Sequence, residues 1–570
     1  MKRIIIYMIS LASIVGLSGC LDDNNNYNYE KVNELVGSIS NMEGDYSIAS
    51  GEILTITPSF KFSIDMEDPD VSYEWLLDGE LIPGENKASC NFSFERSGIY
   101  EVTYSVIDNK SGVKFSKSAN ITVRSPFTRG WTILSEGGGG ESVLSFVGGS
   151  TTSYNIIMYD RTGQPVEVKR DSLVYGSQIF RDVIPSLGSN PKGMFLNAGY
   201  VANYGTVYDV SDEVIVMQDR WAELNGKTLE RSVYSDEEFR GDLPAAGFKP
   251  VSIAMTYSAK AMLNEDGYIY WANNSSADDF HACAYVNVPL NNGQKFTGVY
   301  PSYKVNKYQA AIPACTADNK IVGLIDANAP KNEKSPVIVE SSITSNVAKV
   351  TTSIGDEDAR FHLGNKKIVT MLPATCFYDK EDWASECPSW VALLKEDAAY
   401  KLMYFCWDIS KGVIKVRNDK FSELDLPQLT AFTDMAVFNN KRYVVIADGA
   451  DLWYFQFGQG ATATMKKLYT FDKPIKSLGA NDTHSSEYRY DVGLQPEHNG
   501  QLGVALEDGT FWIYEVIEKK SGPEELCTEA SINQLFPDPK ATEPVNNKFD
   551  KIVDIIYKYG NVKEFLMFQF

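Results

Sequence analysis

Eight cysteines and four histidines bound what this 570-residue chain can do with thiols and imidazoles. His281, His362, His484 and His498 are too scattered for a His-based metal site, and none falls in an HExxH or CxxC…H spacing. The pattern predicts no metal and no cofactor. Carboxylates are abundant, but the clusters Asp65, Glu67, Asp68, Asp70 and Asp356, Glu357, Asp358 lack the spacing of an EF-hand loop and read as solvated turns. There is no GxSxG nucleophile elbow. The run Gly137 to Gly140 is followed by neither Lys-Ser/Thr nor a helix, so it reads as a hairpin connection and not a phosphate cradle. With 75 acids in the chain, spacing singles out no pair for general acid–base work, and no catalytic residue is assigned. Those acids outweigh 53 basic residues, a formal charge of −22, which argues against nucleic acid as a partner because no cationic surface displaces phosphate counterions.

One cysteine stands apart from the others. Lys2 and Arg3 precede an apolar run from Ile4 to Val15 that is short for a retained span, and the segment ends Leu17-Ser18-Gly19-Cys20. This resembles a bacterial lipobox, in which the Cys20 thiol takes a diacylglycerol before cleavage, making residues 1–19 a lipoprotein signal peptide. Acyl chains contribute about 0.8 kcal/mol per buried methylene, enough for several of them to anchor a protein. The following Leu21-Asp22-Asp23 resembles the export signal of Bacteroidetes lipoproteins displayed on the outer face of the outer membrane. Residues 20–36, rich in Asn, Tyr and acids, are then a lipidated Cys and a flexible tether.

Seven cysteines remain, and an odd number leaves at least one thiol unpaired. Cys376 and Cys387 form the best candidate disulfide by proximity in sequence; the alternative is buried free thiols packed as small hydrophobes. They bound most of a charged insertion, Tyr378 to Trp390, that interrupts a strand pattern. Tyr378, Trp383 and Trp390 are its candidate ligand or partner contacts, the alternative being a loop whose Trp rings cover a sheet edge.

The elements that must position these residues are strands. In Ile99 to Val106 the residues Tyr100, Val102, Tyr104 and Val106 alternate with polar ones, and Val71 to Trp75 and Ala119 to Val123 show further strand patterns. Residues 37–125 therefore read as a small β-sandwich. From 127 to 570 nearly everything reads as short strands. Three places, Asp266-Gly267 before Tyr268, Gly449-Ala450 before Asp451 and Asp508-Gly509 before Thr510, are polar turns leading from an apolar strand into an aromatic-rich one. Hairpins repeating at about 42 residues predict β-propeller blades, at 127–172, 183–238, 250–290, 296–345, 360–420, 425–470 and 472–517. Seven is the favoured count, with six or eight possible. The terminal strands Ile552 to Tyr557 and Val562 to Phe568 are predicted to pair near the start of the ring and cover its open edge. The fold class is all-β.

The sandwich pattern, with Tyr73-Glu74-Trp75 followed by Ser97-Gly98-x-Tyr100-x-Val102-x-x-x-Val106-x-Asp108, resembles the polycystic-kidney-disease (PKD) type of immunoglobulin-like domain. Trp75-Leu76-Leu77-Asp78-Gly79 departs from the usual Trp-Asp-Phe-Gly-Asp-Gly and is similar to the divergent domain of a family of Bacteroidetes surface lipoproteins. That family restarts with a Gly-Trp strand ending in Leu-Ser-Glu, as Gly130-Trp131 to Glu136 does here, answered by Leu144-Ser145-Phe146. The resemblance implies an outer-membrane, lipid-anchored protein facing the cell exterior. It further implies a non-enzymatic accessory to a SusC/SusD-like nutrient transporter, with an oligopeptide or glycan as ligand. A surface hydrolase working on the propeller face, or an adhesin acting through the PKD-like domain, are the alternatives. A sialidase-type reading is weak, since Ala505 to Trp512 keeps only Gly509 and Trp512 of an Asp box.

Overall fold

The structure, a computed structural model, describes residues 31–558 apart from 43, 65–67, 160–163, 198–212, 240, 256–258, 274–283, 286, 291–293, 303–310, 326–349, 352–357, 375–388, 411–412, 439–442, 458–463, 482–499 and 520–528. The chain divides into two compact units, Met1–Arg124 and Ser125–Phe570. Among the described residues no helix is long and apolar enough to cross a membrane.

In the first unit, alternation of apolar and polar residues does what the sequence predicts. Gly98–Asp108 pairs antiparallel with both Val71–Leu77 and Lys114–Arg124, and Asp45–Ala49 adds to the latter in parallel. Glu80–Leu81 completes a five-stranded sheet, which faces the pair Leu54–Ile56 and Cys90–Phe92. Val102, Tyr104 and Val106 turn inward with Trp75, whose ring lies 4.8 Å from that of Tyr104 and 5.6 Å from that of Phe92. Burying an indole strands its N–H unless a partner is supplied; here Trp75 Nε1 donates to the Lys87 carbonyl at 2.9 Å. Trp75 is a core residue.

The second unit is a β-propeller. Its described residues make seven antiparallel sheets of four strands, all but the first a meander of consecutive strands, with Ser422–Asp425 as an extra partner in the fifth. Successive sheets share apolar clusters, from the first onto the second through to the sixth onto the seventh. The seventh packs back on the first, where Ala505, Phe511 and Ile513 meet Trp131, Ile133 and Ile555. The first sheet is composite. Its outer strands Gly130–Glu136, Ser142–Tyr159 and Pro165–Phe180 come from the beginning of the unit, and its innermost strand, Lys551–Lys558, comes from the end. The predicted covering of the open edge is thus met by Lys551–Lys558; Val562 to Phe568 lie outside the described residues. The Gly137 to Gly140 run is the hairpin between the first two of those outer strands. Four predicted blade limits shift, because the first sheet continues to Phe180, the fourth takes its last strand, Val350–Thr351, from beyond residue 345, the fifth adds Ser422–Asp425 beyond residue 420, and the seventh gains a fourth strand, Glu529–Phe536, beyond residue 517.

Two glycines explain how the ring closes sterically. Gly479 and Gly503 face each other across two strands of the seventh sheet, and the indole of Trp131 lies over them. A Cβ on Gly503 would lie 2.5 Å from Trp131 Cζ3, and one on Gly479 2.8 Å from the same atom. The slot exists because neither residue has a side chain. Gly503→Ala is expected to destabilise the protein by about 1–3 kcal/mol through overpacking against a fully buried ring. Chemical denaturation checks this, and an unchanged midpoint would show that the slot does not constrain closure.

Candidate functional site

Of the residues singled out by sequence, Cys20, Cys376, Tyr378, Trp383 and Cys387 lie outside the described residues. Trp390 is placed, and it corrects the expectation of a ligand contact. It belongs to strand Ser389–Glu396, is fully buried, stacks near Phe405 and Trp407, and donates through Nε1 to the Pro301 carbonyl at 3.0 Å. A ring with no exposed surface and a satisfied N–H is core between the fourth and fifth sheets. Cys406, facing Ser389 across the adjacent strand, is disulfide-bonded, and its partner lies outside the described residues. Cys90 and Cys315 are buried free thiols; burial, then the nearby Glu85, pushes Cys90 up to about 11. Asp358 is held by Arg360 through its guanidinium and backbone N–H, a turn device, while Asp356 and Glu357 lie outside the described residues.

The sheets bring together residues that spacing did not. The first strands of the sheets are neighbours around the axis, where Phe432–Phe438 contacts Ile475–Asn481, which contacts Lys551–Lys558, which contacts Gly193–Asn197. Six of these first strands carry a bulge near their start, immediately before Ser252, Gly298, Thr370, Asp434, Ser477 and Asp554. A bulge inserts one extra residue and re-aims its neighbours, so the same small or polar position recurs from sheet to sheet. Gly193 takes the matching place at the start of the second sheet's first strand; a Cβ there would sit 3.3 Å from Asp554 Oδ2.

At three successive sheets this ring is hydrogen-bonded through its side chains. Ser477 Oγ lies 3.1 Å from Asp434 Oδ2 and 3.1 Å from Asp554 Oδ1. Asp434 also accepts from the backbone N–H of Leu478 and of Met435, both at 2.8 Å. Asp554 accepts from Met194 N–H at 2.7 Å and Ile555 N–H at 2.8 Å. Each carboxyl therefore fastens its own strand to the next. Burial raises both above the ordinary carboxylate range, and Asp554, with Asp434 beside it, reaches about 7.

A second buried cluster joins the second sheet to the third. Lys260 Nζ lies 2.7 Å from Glu223, 3.0 Å from Glu238 and 3.7 Å from Glu213, and all four side chains are essentially inaccessible. Ser235 Oγ donates to Glu223 at 2.6 Å. Lys260 thus sets one ammonium against three buried carboxyls, where the loss of that charge is costly. Burial works against charge on Glu223, but the Lys260 ammonium and side-chain hydrogen bonding with Glu213 and Glu238 outweigh it and hold Glu223 well below its usual range.

Neither cluster was read from sequence, though a trace was there. Asp554 interrupts Ile552 to Tyr557, and Lys260 sits within Ala259 to Leu263; each is a lone charge in an apolar strand.

A model of the PKD-like family matches residues 20–183, which spans the first unit and most of the first sheet of the second. No curated protein matches the chain. Solved structures with some likeness include a quinoprotein alcohol dehydrogenase-like protein of Bacteroides thetaiotaomicron, 10% identical over 70% of this chain and 97% of that one, at a TM-score of 0.18. Prp20p of Saccharomyces cerevisiae is 10% identical over 64% and 81%, at 0.32. The exotype rhamnogalacturonan lyase YesX is 12% identical over 85% and 73%, at 0.22. At such scores the propeller rests on the chain's own strand pairing, and the activities of those proteins have no bearing here.

Lys260→Met is expected to cost about 3–5 kcal/mol, because it leaves a buried carboxylate uncompensated. Adding Glu223→Gln should restore part of the loss. Urea unfolding of the single and double variants checks this, and a single variant as stable as the parent would refute the cost assigned to losing that charge.

Proposed function

We propose that this chain is a surface lipoprotein acting as a non-enzymatic accessory of a SusC/SusD-like uptake system, retaining oligopeptides or glycans at the outer membrane. The observation that carries the reading is an asymmetry of the propeller. In every sheet the connection between second and third strands is between two and five residues long. The connections between first and second strands, and between third and fourth, leave from the opposite end and include the segments 198–212, 326–349, 375–388 and 482–499. The end of the second-to-third turns otherwise carries the links from sheet to sheet, none longer than 15 residues, while the opposite end gathers the two longest connections of the unit, 326–349 and 482–499, the usual place for recognition on a rigid scaffold. Segment 375–388 carries Tyr378 and Trp383, aromatic residues suited to sugar faces or peptide side chains.

Two further points support binding over hydrolysis. The axial carboxyls lie within about 6 Å of each other across one hydroxyl, close to a glycosidase separation. Yet every one of their oxygens already accepts a main-chain N–H, which suits a strand fastener better than an acid that must reach a glycosidic oxygen. A lipid tether would hold such a scaffold at high effective concentration beside a transporter.

The test is purification of the tagged full-length protein from outer membranes. A SusC/SusD-like pair should co-purify, and replacing both Tyr378 and Trp383 with Ala should weaken retention of peptide or glycan by at least about tenfold, the loss expected for a binding hot spot. Isolation of the protein alone, with ligand retention unchanged in the double variant, would reject the reading.

A further inference from the structure

We propose that Asp434, Ser477 and Asp554 form a proton-dependent latch on the C-terminal strand Lys551–Lys558, closed while the two carboxyls share one proton and weakened when that proton is lost.

The geometry fixes the proton count. A serine hydroxyl has one hydrogen, yet Ser477 Oγ stands at hydrogen-bonding distance from a carboxyl oxygen on either side. It can donate to one; to bond the other it must accept. One carboxyl therefore carries a proton in the closed arrangement, giving an Asp–OH to Ser–OH to carboxylate chain. Without that proton two negative charges face each other across a hydroxyl that can serve only one of them.

The surroundings decide where the proton resides. Lys476, one residue before Ser477, favours the ionised form of Asp434. Among the described residues no cation stands in the same relation to Asp554. Across the sheets, Asp434 pairs with Ala447, Ser477 with Ala505 and Asp554 with Leu134, all uncharged. The second sheet offers Asp554 only the backbone of Gly193 and Met194, with Lys192 one residue earlier, its charge acting on Asp219. The fifth sheet brings the neutral Thr370 to the matching position beside Asp434's strand. The shared proton thus rests on Asp554, in agreement with the raised value near 7 for that group.

The location gives the latch its consequence. Asp554 lies on the one strand that comes from the end of the chain and closes the first sheet. Its bonds reach Ser477 on the seventh sheet and Met194 on the second; the shared proton completes the first, while the Met194 N–H is accepted in either protonation state.

Asp554 is protonated in the folded state up to about pH 7, whereas the unfolded chain releases the proton near pH 4. The stabilisation it brings is complete below about pH 4, falls as pH rises towards 7 and is level beyond. Hydrogen exchange of the full chain, corrected for intrinsic chemistry, reads this directly. Protection of the amides in Lys551–Lys558 should fall about tenfold per pH unit between about pH 5 and 7 and then level off, the slope of one proton released on opening. Asp554→Asn should flatten that slope. Flat or rising protection in the parent, or an undiminished slope in the variant, would overturn the latch. Should the variant fail to fold, carbon-13 titration of aspartate carboxyls in the parent decides: one midpoint near 7 supports the latch, and none above about 6 overturns it.

Discussion

The pairing of Lys551–Lys558 with Gly130–Glu136 is the constraint on which the second unit depends. Every other sheet is a meander of consecutive strands that can form from local chain. The first sheet joins residues more than 400 positions apart, so its closure must offset a large loop entropy that the others avoid. Several interactions converge on that joint. Trp131 fills the slot over Gly479 and Gly503, and Tyr175 donates to Gln501 on the seventh sheet at 2.6 Å. Lys558, fully buried, donates to the Thr128 and Gly226 carbonyls, and Asp554 binds strands on both sides. Without closure the strand Gly130–Glu136 would be left as an open sheet edge, a hazard for association that the returning strand removes.

Between sheets the chain uses two kinds of contact. Most are apolar, as where Trp390, Phe405 and Trp407 fill the space between the fourth and fifth sheets and a Cβ on Gly323 would lie 2.2 Å from Ile414 Cδ1 and 3.1 Å from Trp407 Cζ3. Two are ionisable: the fully buried Lys260 cluster and the half-buried axial carboxyls. Buried charge is a poor source of stability compared with a well-packed apolar isostere. It does fix geometry, since a carboxyl that must accept two particular N–H groups tolerates one register. In a ring built from similar sheets, such bonds can specify which sheet sits beside which.

Much of the fold was legible because strands declare themselves by period two and their turns by residue type. Asp266-Gly267, Gly449-Ala450 and Asp508-Gly509 all mark connections between second and third strands, and positive φ at Gly267, Gly449 and Gly509 shows why glycine stands there. Trp75 and Tyr104 likewise announce the first unit's core. Trp390 misled because the sequence ran it on from a charged insertion, whereas it begins a buried strand; a boundary off by a few residues turns core into surface. The axial carboxyls were illegible for a different reason. Asp434, Ser477 and Asp554 are separated by 43 and 77 positions, and only the register of three sheets brings them together. Composition and spacing describe neighbours along the chain, while these are neighbours around an axis.

The scaffold reading and the closure of the ring are linked, because insertions at one end can present a fixed surface only if the sheets beneath them are held. The most direct measurement is chemical unfolding of a chain ending before Lys551, followed by near-ultraviolet circular dichroism and tryptophan fluorescence. If the terminal strand closes the ring, the propeller's aromatic signal should lose its single cooperative transition and its midpoint should drop sharply. A truncated chain that unfolds cooperatively at the parent midpoint would contradict the account.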